Sequence, residues 1–415
     1  MLVLRQPRAL VCVASALVLT VVLCVTALSG PRATPRAAAQ AADPVPLRSL
    51  LRGFNPQAHR QAGDARVAAL GGGREARLTL DSALQAHVEA VLERYEVPFG
   101  ALVAIEPASG RILAWVSHSS ANPTSGDLAL DASPPAASVF KIVTASALLD
   151  AGVSPSSRVC YGGGAHALLQ ADIEDNPQRD QTCGTLSEAM GSSINAIFGK
   201  LAIQHLTTAS LERTARAYGF GEPLPFDVPV PPSTTEVPAA DRQPLAFARV
   251  SAGFWHSHLS PFHGALIAAT IARGGTMPRA TLIDRITDAQ GAVLYRSRPE
   301  GLRRVTSEAT AARLTEMMEL TVQGGTARRA FHDAQGRPYL PDVPIAGKTG
   351  TLSGSSPYRG YTWWVGFAPA DEPTIALAAL VVNRPEWRIK ASDLARETLE
   401  HFLIDQPRRE APASH

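Results

Sequence analysis

The sequence predicts an α+β domain in which one sheet, flanked by helices, is assembled from segments near both ends of the chain. Three observations carry this: strand-like apolar runs just after residue 100, a mostly helical middle over residues 195–276, and further strand-like runs from residue 343. With 415 residues, 45% of them hydrophobic, the chain can bury a large core. A formal charge of +2 and 18% charged residues leave no basic surplus that would favour nucleic acid.

Along the chain, residues 1–8 carry Arg5 and Arg8, and residues 9–29 are an uncharged 21-residue stretch followed by Arg32 and Arg36. That stretch is long enough to span a bilayer, and it exceeds a usual signal-peptide core, although Val25-Thr26-Ala27 is a tolerable cleavage site. The expectation is a single-pass anchor or signal segment with residues 1–8 cytoplasmic. Residues 30–77, rich in Ala, Pro, Arg and Gly, read as a linker or short irregular extension. The folded domain is expected over residues 78–405, with 406–415 a disordered tail.

Within that domain, Asp81 or Ser82 can cap a helix whose Leu84, Val88, Val91, Leu92 and Tyr95 recur at helical spacing. Residues 101–105 and 111–116 read as a hairpin turning through Pro107-Ala108-Ser109-Gly110. A loop over 117–135 leads to an apolar helix over 137–150, ended by Gly152. The Pro-rich stretch 223–244 reads as a surface loop, residues 343–346, 361–367 and 374–382 as strands, and 391–403 as a closing helix.

Only four of the 39 basic residues are lysines, and two of them sit in Ser138-Val139-Phe140-Lys141 and Lys348-Thr349-Gly350-Thr351. An amine can lose its proton in a protein and a guanidinium cannot, so lysine at these places points to chemistry. Between them lies Ser193-Ile194-Asn195, giving the order S-x-x-K, S-x-N, K-T-G. Each piece alone is a weak signal; the ordered trio is not. Residues i and i+3 share a helix face, which brings Lys141 beside Ser138 as its base, with the helix start favouring a developing oxyanion. Burial and the charge of Lys348 would lower the Lys141 pKa. Ser193 offers a proton relay and Asn195 an amide for a substrate peptide, while Lys348, Thr349, Gly350 and Thr351 offer ammonium, close backbone approach and hydroxyls for a carboxylate. The set describes acyl transfer to serine from a substrate with a terminal carboxylate.

Cys160 and Cys183 are the only cysteines outside the apolar N-terminal stretch, and a disulfide between them is expected on the outer face of a membrane. His256, His258 and His263 lack a cysteine or carboxylate pattern, so neither a metal nor a cofactor is expected. Lys200, Lys390 and the acidic stretch 172–175 read as solvated charges.

On these three motifs the chain resembles the penicillin-binding transpeptidase family, from about residue 78 to 403. Leu78-Thr79-Leu80-Asp81 with Gln85, the stretch from Ala104 to Ala114, Gly324-Gly325-Thr326-Ala327 and Trp364-Val365-Gly366-Phe367-Ala368-Pro369 are similar to family landmarks. Residues 268–275 resemble a helix end in which Arg273 replaces the usual Asn, and Ala136-Ala137 stands where Pro-Gly is usual before the nucleophile. The resemblance implies an antiparallel sheet flanked by helices with an all-helical subdomain. It also implies a D,D-transpeptidase or carboxypeptidase acting on peptidoglycan stem peptides ending in D-Ala-D-Ala and inhibited by β-lactams. In that reading Ser138 is acylated, Lys141 is the base, Ser193 the relay and Asn195 the amide ligand. Lys348 supplies charge, Thr349 and Thr351 hold the carboxylate, and the N–H groups of Ser138 and Thr351 form the oxyanion hole. The short stretch before Leu78 implies a monofunctional, class B-like enzyme served by a separate glycan polymerase. The implied place is the bacterial inner membrane, with the catalytic domain extracytoplasmic. The alternatives are a serine β-lactamase, disfavoured by the lack of a Glu-x-x-x-Asn segment between Ser193 and Lys348, and a penicillin-binding receptor without turnover.

Overall fold

The computed structural model describes residues 46–122, 125–254 and 256–407, which fall within one compact unit. The stretch 9–29 read as an anchor lies outside the described residues. Among the described residues, no helix is long and apolar enough to cross a membrane.

The elements that position the site are α1 (Ser82–Arg94), β1 (Phe99–Ile105), β2 (Ile112–His118), α2 (Lys141–Asp150), α3 (Leu186–Ser192), α4 (Asn195–His205), α5 (Pro261–Ala272), α6 (Glu308–Gln323), β3 (Ala346–Ser355), β4 (Tyr358–Ala368), β5 (Ile375–Asn383) and α7 (Ala391–Glu400). The central sheet has the order β3-β4-β5-β1-β2, antiparallel at every step, so strands from the end of the chain complete a sheet begun near residue 100. Alternate side chains of each strand point to opposite faces. Val103 and Ile105 of β1 and Ala376, Ala378 and Leu380 of β5 join the core built on α5. Leu102, Ala104, Leu377 and Ala379 join a second core with Leu84, Val88 and Leu92 of α1 and Leu394 and Leu399 of α7. Buried on both faces, β5 has nine buried residues in a row, IALAALVVN.

Helix α1 starts where its cap requires. Asp81 Oδ1 accepts from the backbone N–H groups of Ala83 and Leu84 at 3.0 and 2.9 Å. The expected helix over 137–150 opens instead with a 3₁₀ turn, Ala137–Phe140, before α2.

The linker reading of residues 30–77 does not hold for its described part. A short helix, Leu47–Leu50, precedes strands Arg60–Ala62, Ala65–Leu70 and Arg74–Leu78, which form a second sheet with Ile283–Thr287 and Val293–Arg296. Leu50, Phe54, Ala68, Leu70 and Ala76 are buried in the main core, so order begins well before residue 78. At the other end Gln406, read as tail, is helical and donates from Nε2 to Asp81 Oδ2 at 2.9 Å.

Candidate active site

Ser138 lies in the 3₁₀ turn that feeds α2, and Lys141 is the first residue of α2 itself. The i, i+3 relation puts Lys141 Nζ 3.0 Å from Ser138 Oγ. The turn before Ser138 is tight. Ala137 has φ 50°, in the left-handed region that costs a residue with a Cβ roughly 1–2 kcal/mol, so alanine here takes the shape that glycine adopts freely. Gly253, at φ 87°, passes so close beneath it that a Cβ would stand 2.2 Å from the Ala137 carbonyl oxygen.

Lys141 is fully buried. Its Nζ also donates to Asn195 Oδ1 at 2.6 Å and to the carbonyl oxygen of Ala252 at 2.7 Å. Burial first, and the charge of Lys348 second, push its pKa well below the ordinary lysine range. The geometry suits a neutral amine: two N–H groups serve the two carbonyl acceptors, and the remaining lone pair faces the Ser138 hydroxyl. Lys348 on β3 is equally buried and donates to Ser193 Oγ at 3.0 Å and to the Thr349 carbonyl oxygen at 2.9 Å. Burial lowers its pKa to about 7. Ser193 reaches it from the end of α3, at φ 58°, where the chain reverses so that Asn195 can open α4. The three sequence motifs therefore meet in one hydrogen-bonded group.

This group fixes the sign of one pH effect. In Lys348→Ala the repulsive charge beside Lys141 is gone, the Lys141 pKa rises, and less of it is neutral at a given pH. The acidic limb of the rate of acylation by a fluorescent penicillin is expected to move to higher pH; an unmoved limb would show that the two lysines are not coupled.

Ser138, Ser193, Asn195, Thr349, Gly350 and Thr351 line a cleft of about 440 Å³, together with residues sequence reasoning did not single out for the site. Thr326, whose hydroxyl pairs with that of Thr349, lay inside the Gly-Gly-Thr-Ala landmark and was legible there. Ala165 and His166 form another part of the lining and carried no sequence signal.

That wall belongs to the segment between Cys160 and Cys183, which are joined by a disulfide across the hairpin of Arg158–Tyr161 and Thr182–Thr185. The carbonyl oxygens of Ala165 and Gly164 accept from the backbone N–H groups of Asn195 and Ala196 at 3.3 and 2.9 Å. They satisfy the start of α4 in place of a capping side chain. Lys200 corrects its reading as a solvated charge: it is buried, and its Nζ donates to Asp180 Oδ2 at 2.5 Å, Asp175 Oδ1 at 3.0 Å and the Cys160 carbonyl at 3.0 Å. The acidic stretch 172–175 is likewise only partly solvated, since Asp172 is buried and Asp175 pairs with Lys200. Hydrogen bonds from Lys200 and the Asn176 N–H hold the Asp180 pKa down to about 2. A depressed carboxylate stabilises the fold above the ordinary carboxylate range, and that contribution is lost as the pH falls toward 2. Removing the disulfide, which closes a sequence separation of 23, is expected to cost roughly 3 kcal/mol by loop entropy. Urea unfolding of a Cys160→Ser/Cys183→Ser variant measures it, and unchanged stability would refute the estimate.

The family described as penicillin binding protein transpeptidase domain matches residues 100–400. The chain belongs to the penicillin-binding transpeptidases. Among curated members, the peptidoglycan D,D-transpeptidase PbpA of Mycolicibacterium smegmatis is 31% identical over 323 residues, covering 68% of this chain and 61% of that protein. Its namesake in Mycobacterium tuberculosis is 30% identical over 350 residues, covering 74% of this chain and 68% of the relative. This penicillin-binding transpeptidase thus spans about two thirds of the length of those relatives. A solved structure of penicillin-binding protein A from M. tuberculosis, a ceftriaxone acyl-enzyme complex, is 26% identical with a TM-score of 0.64 and covers 79% of either chain. A D,D-transpeptidase domain from Eggerthella lenta, at 23% identity and a TM-score of 0.67, covers 84% of this chain and 89% of that one, and shares the fold.

Proposed function

We propose that this chain is a peptidoglycan D,D-transpeptidase that cross-links stem peptides through an acyl-enzyme on Ser138 and is inhibited by β-lactams. One observation carries the reading: a buried amine with lowered pKa stands 3.0 Å from Ser138 Oγ, its two other contacts being carbonyl acceptors. Lys141 takes the Ser138 proton as Oγ attacks the penultimate D-Ala carbonyl, and the proton passes to the leaving D-Ala amine by way of Ser193 and Lys348. Asn195 binds a substrate amide. Thr349 and Thr351 hold the terminal carboxylate beside Lys348, Gly350 lets the substrate backbone lie close, and the N–H groups of Ser138 and Thr351 receive the oxyanion. The acyl-enzyme structure of the M. tuberculosis relative supports the same chemistry here.

The disulfide fits an oxidising compartment, which supports an extracytoplasmic domain held at the membrane by residues 9–29. The glycan strands come from a separate polymerase in this reading. Mass spectrometry of the protein after fluorescent penicillin, with D-Ala release from a stem pentapeptide measured in parallel, tests the whole. An adduct on the Ser138 peptide and D-Ala release are expected. Rapid hydrolysis of the penicillin would favour a β-lactamase, and an adduct without peptide turnover a receptor.

A further inference from the structure

The catalytic cleft does not end at Thr326. That residue, with Lys390 and Ser392, also lines a second groove of about 350 Å³ whose other walls include Arg329, Trp387 and Arg388. Three cations therefore face one continuous path from Ser138. Arg329 and Lys390 form no ion pair among the described residues, and Arg388 reaches only the exposed Glu96, at 3.5 Å. The acidic lining residue, Asp393, has one carboxylate oxygen, Oδ2, turned to the backbone N–H of Lys390 at the start of α7, 3.0 Å away. Trp387 is a fixed floor. Its indole N–H donates to the Tyr358 hydroxyl at 2.9 Å, and its ring lies so close over Gly360 that a Cβ there would come within 2.7 Å of it. The Lys390 ammonium stands 5.6 Å from the centre of that ring.

We propose that this groove seats the acceptor of the transfer step and selects an amine that carries a second carboxylate distant from the reacting nitrogen. The inference rests on the transpeptidase reading above. In the second half of that reaction a neutral amine attacks the acyl carbonyl carbon. The C–N bond forms, the C–Oγ bond to Ser138 breaks, and the proton lost by the amine ends on Ser138 Oγ through Lys141. By microscopic reversibility the amine enters where the leaving D-Ala departs, on the side of the carboxylate-holding Thr349 and Thr351. The groove starts there, because Thr326 is hydrogen-bonded to Thr349. An incoming amine whose far end is anionic meets Arg329, Arg388 and Lys390, whereas one whose far end is cationic is repelled.

The test uses the full chain, an N-acyl-D-alanyl thioester as donor, and two single-amine acceptors that differ only in one distal carboxylate, D-glutamate and D-glutamine. The expected KM for transfer is about fivefold lower for D-glutamate, the scale of one exposed ion pair. In Arg329→Gln/Arg388→Gln the two acceptors should fall within twofold of each other, while the rate of acylation by fluorescent penicillin, which does not use the groove, stays at the parent value. Equal use of both acceptors by the parent, or a preference that survives in the double variant, overturns the proposal. A parent chain that forms no acyl-enzyme overturns the transpeptidase reading itself, which is read separately from the acceptor ratio.

Discussion

Ser138→Ala is expected to abolish the covalent penicillin adduct and all D-Ala release while leaving thermal stability close to the parent. Ser138 is only part-buried, and among the described residues its hydroxyl has no hydrogen bond beyond the one with Lys141. The sharper companion is Lys141→Arg, which keeps a cation and a long side chain but removes the group that can be neutral. General-base catalysis is worth roughly 10²–10⁴ in rate, and the acylation rate should fall by at least that much. The arginine must also fit a fully buried place where Nζ touches Ser138, Asn195 and Ala252, so some loss of stability accompanies it. Stopped-flow acylation across pH 5–10 reads the effect. An arginine variant acylated within tenfold of the parent rate would end the case for Lys141 as the base.

Gly253→Ala is the second large effect, and it acts from beneath the nucleophile. At φ 87° any Cβ is strained, and here it would also stand 2.2 Å from the Ala137 carbonyl oxygen and 3.1 Å from Ser138 Cα. Backbone, not a flexible side-chain end, is what it meets, so the turn must move. A cost of at least about 3 kcal/mol is expected, together with a fall of about 10²-fold in acylation as Ser138 leaves its register with Lys141. Gly152→Ala is the control. Its φ is 88°, yet nothing lies within 4 Å of the added atom, so about 1 kcal/mol of strain and a parent acylation rate are expected. If the two variants behave alike, the close contact under Ala137 has no part in aiming the serine.

What could be read from the chain follows how local each cause is. Ser138 and Lys141 sit one helical turn apart, so helix geometry alone puts them together, and Asp81 announces α1 by a bond to residues two and three further on. Lys348 and Ser193 are 155 residues apart, and only the order of the motifs betrayed their meeting. Three features left no local trace. Strand Arg74–Leu78 is arginine-rich with mixed burial, and its partner Ile283–Thr287 lies some two hundred residues away. Lys200 looks like any helix-surface lysine until the loop bearing Asp175 and Asp180 folds over it. His166 reaches the cleft only because the carbonyls of Gly164 and Ala165 cap α4. Each depends on a tertiary neighbour, and periodicity within one segment cannot report it.

The strand order β3-β4-β5-β1-β2 has a consequence for the life of the chain before it is complete. A polypeptide emerging from its N-terminus makes β1 and β2 early, but the edge of β1 that pairs with β5 stays open until residue 383 has appeared. Until then the nascent protein exposes an unpaired apolar edge, a hazard for self-association. It also lacks Lys348, so under the proposed function a fragment ending short of residue 346 is expected to form no adduct with a fluorescent penicillin.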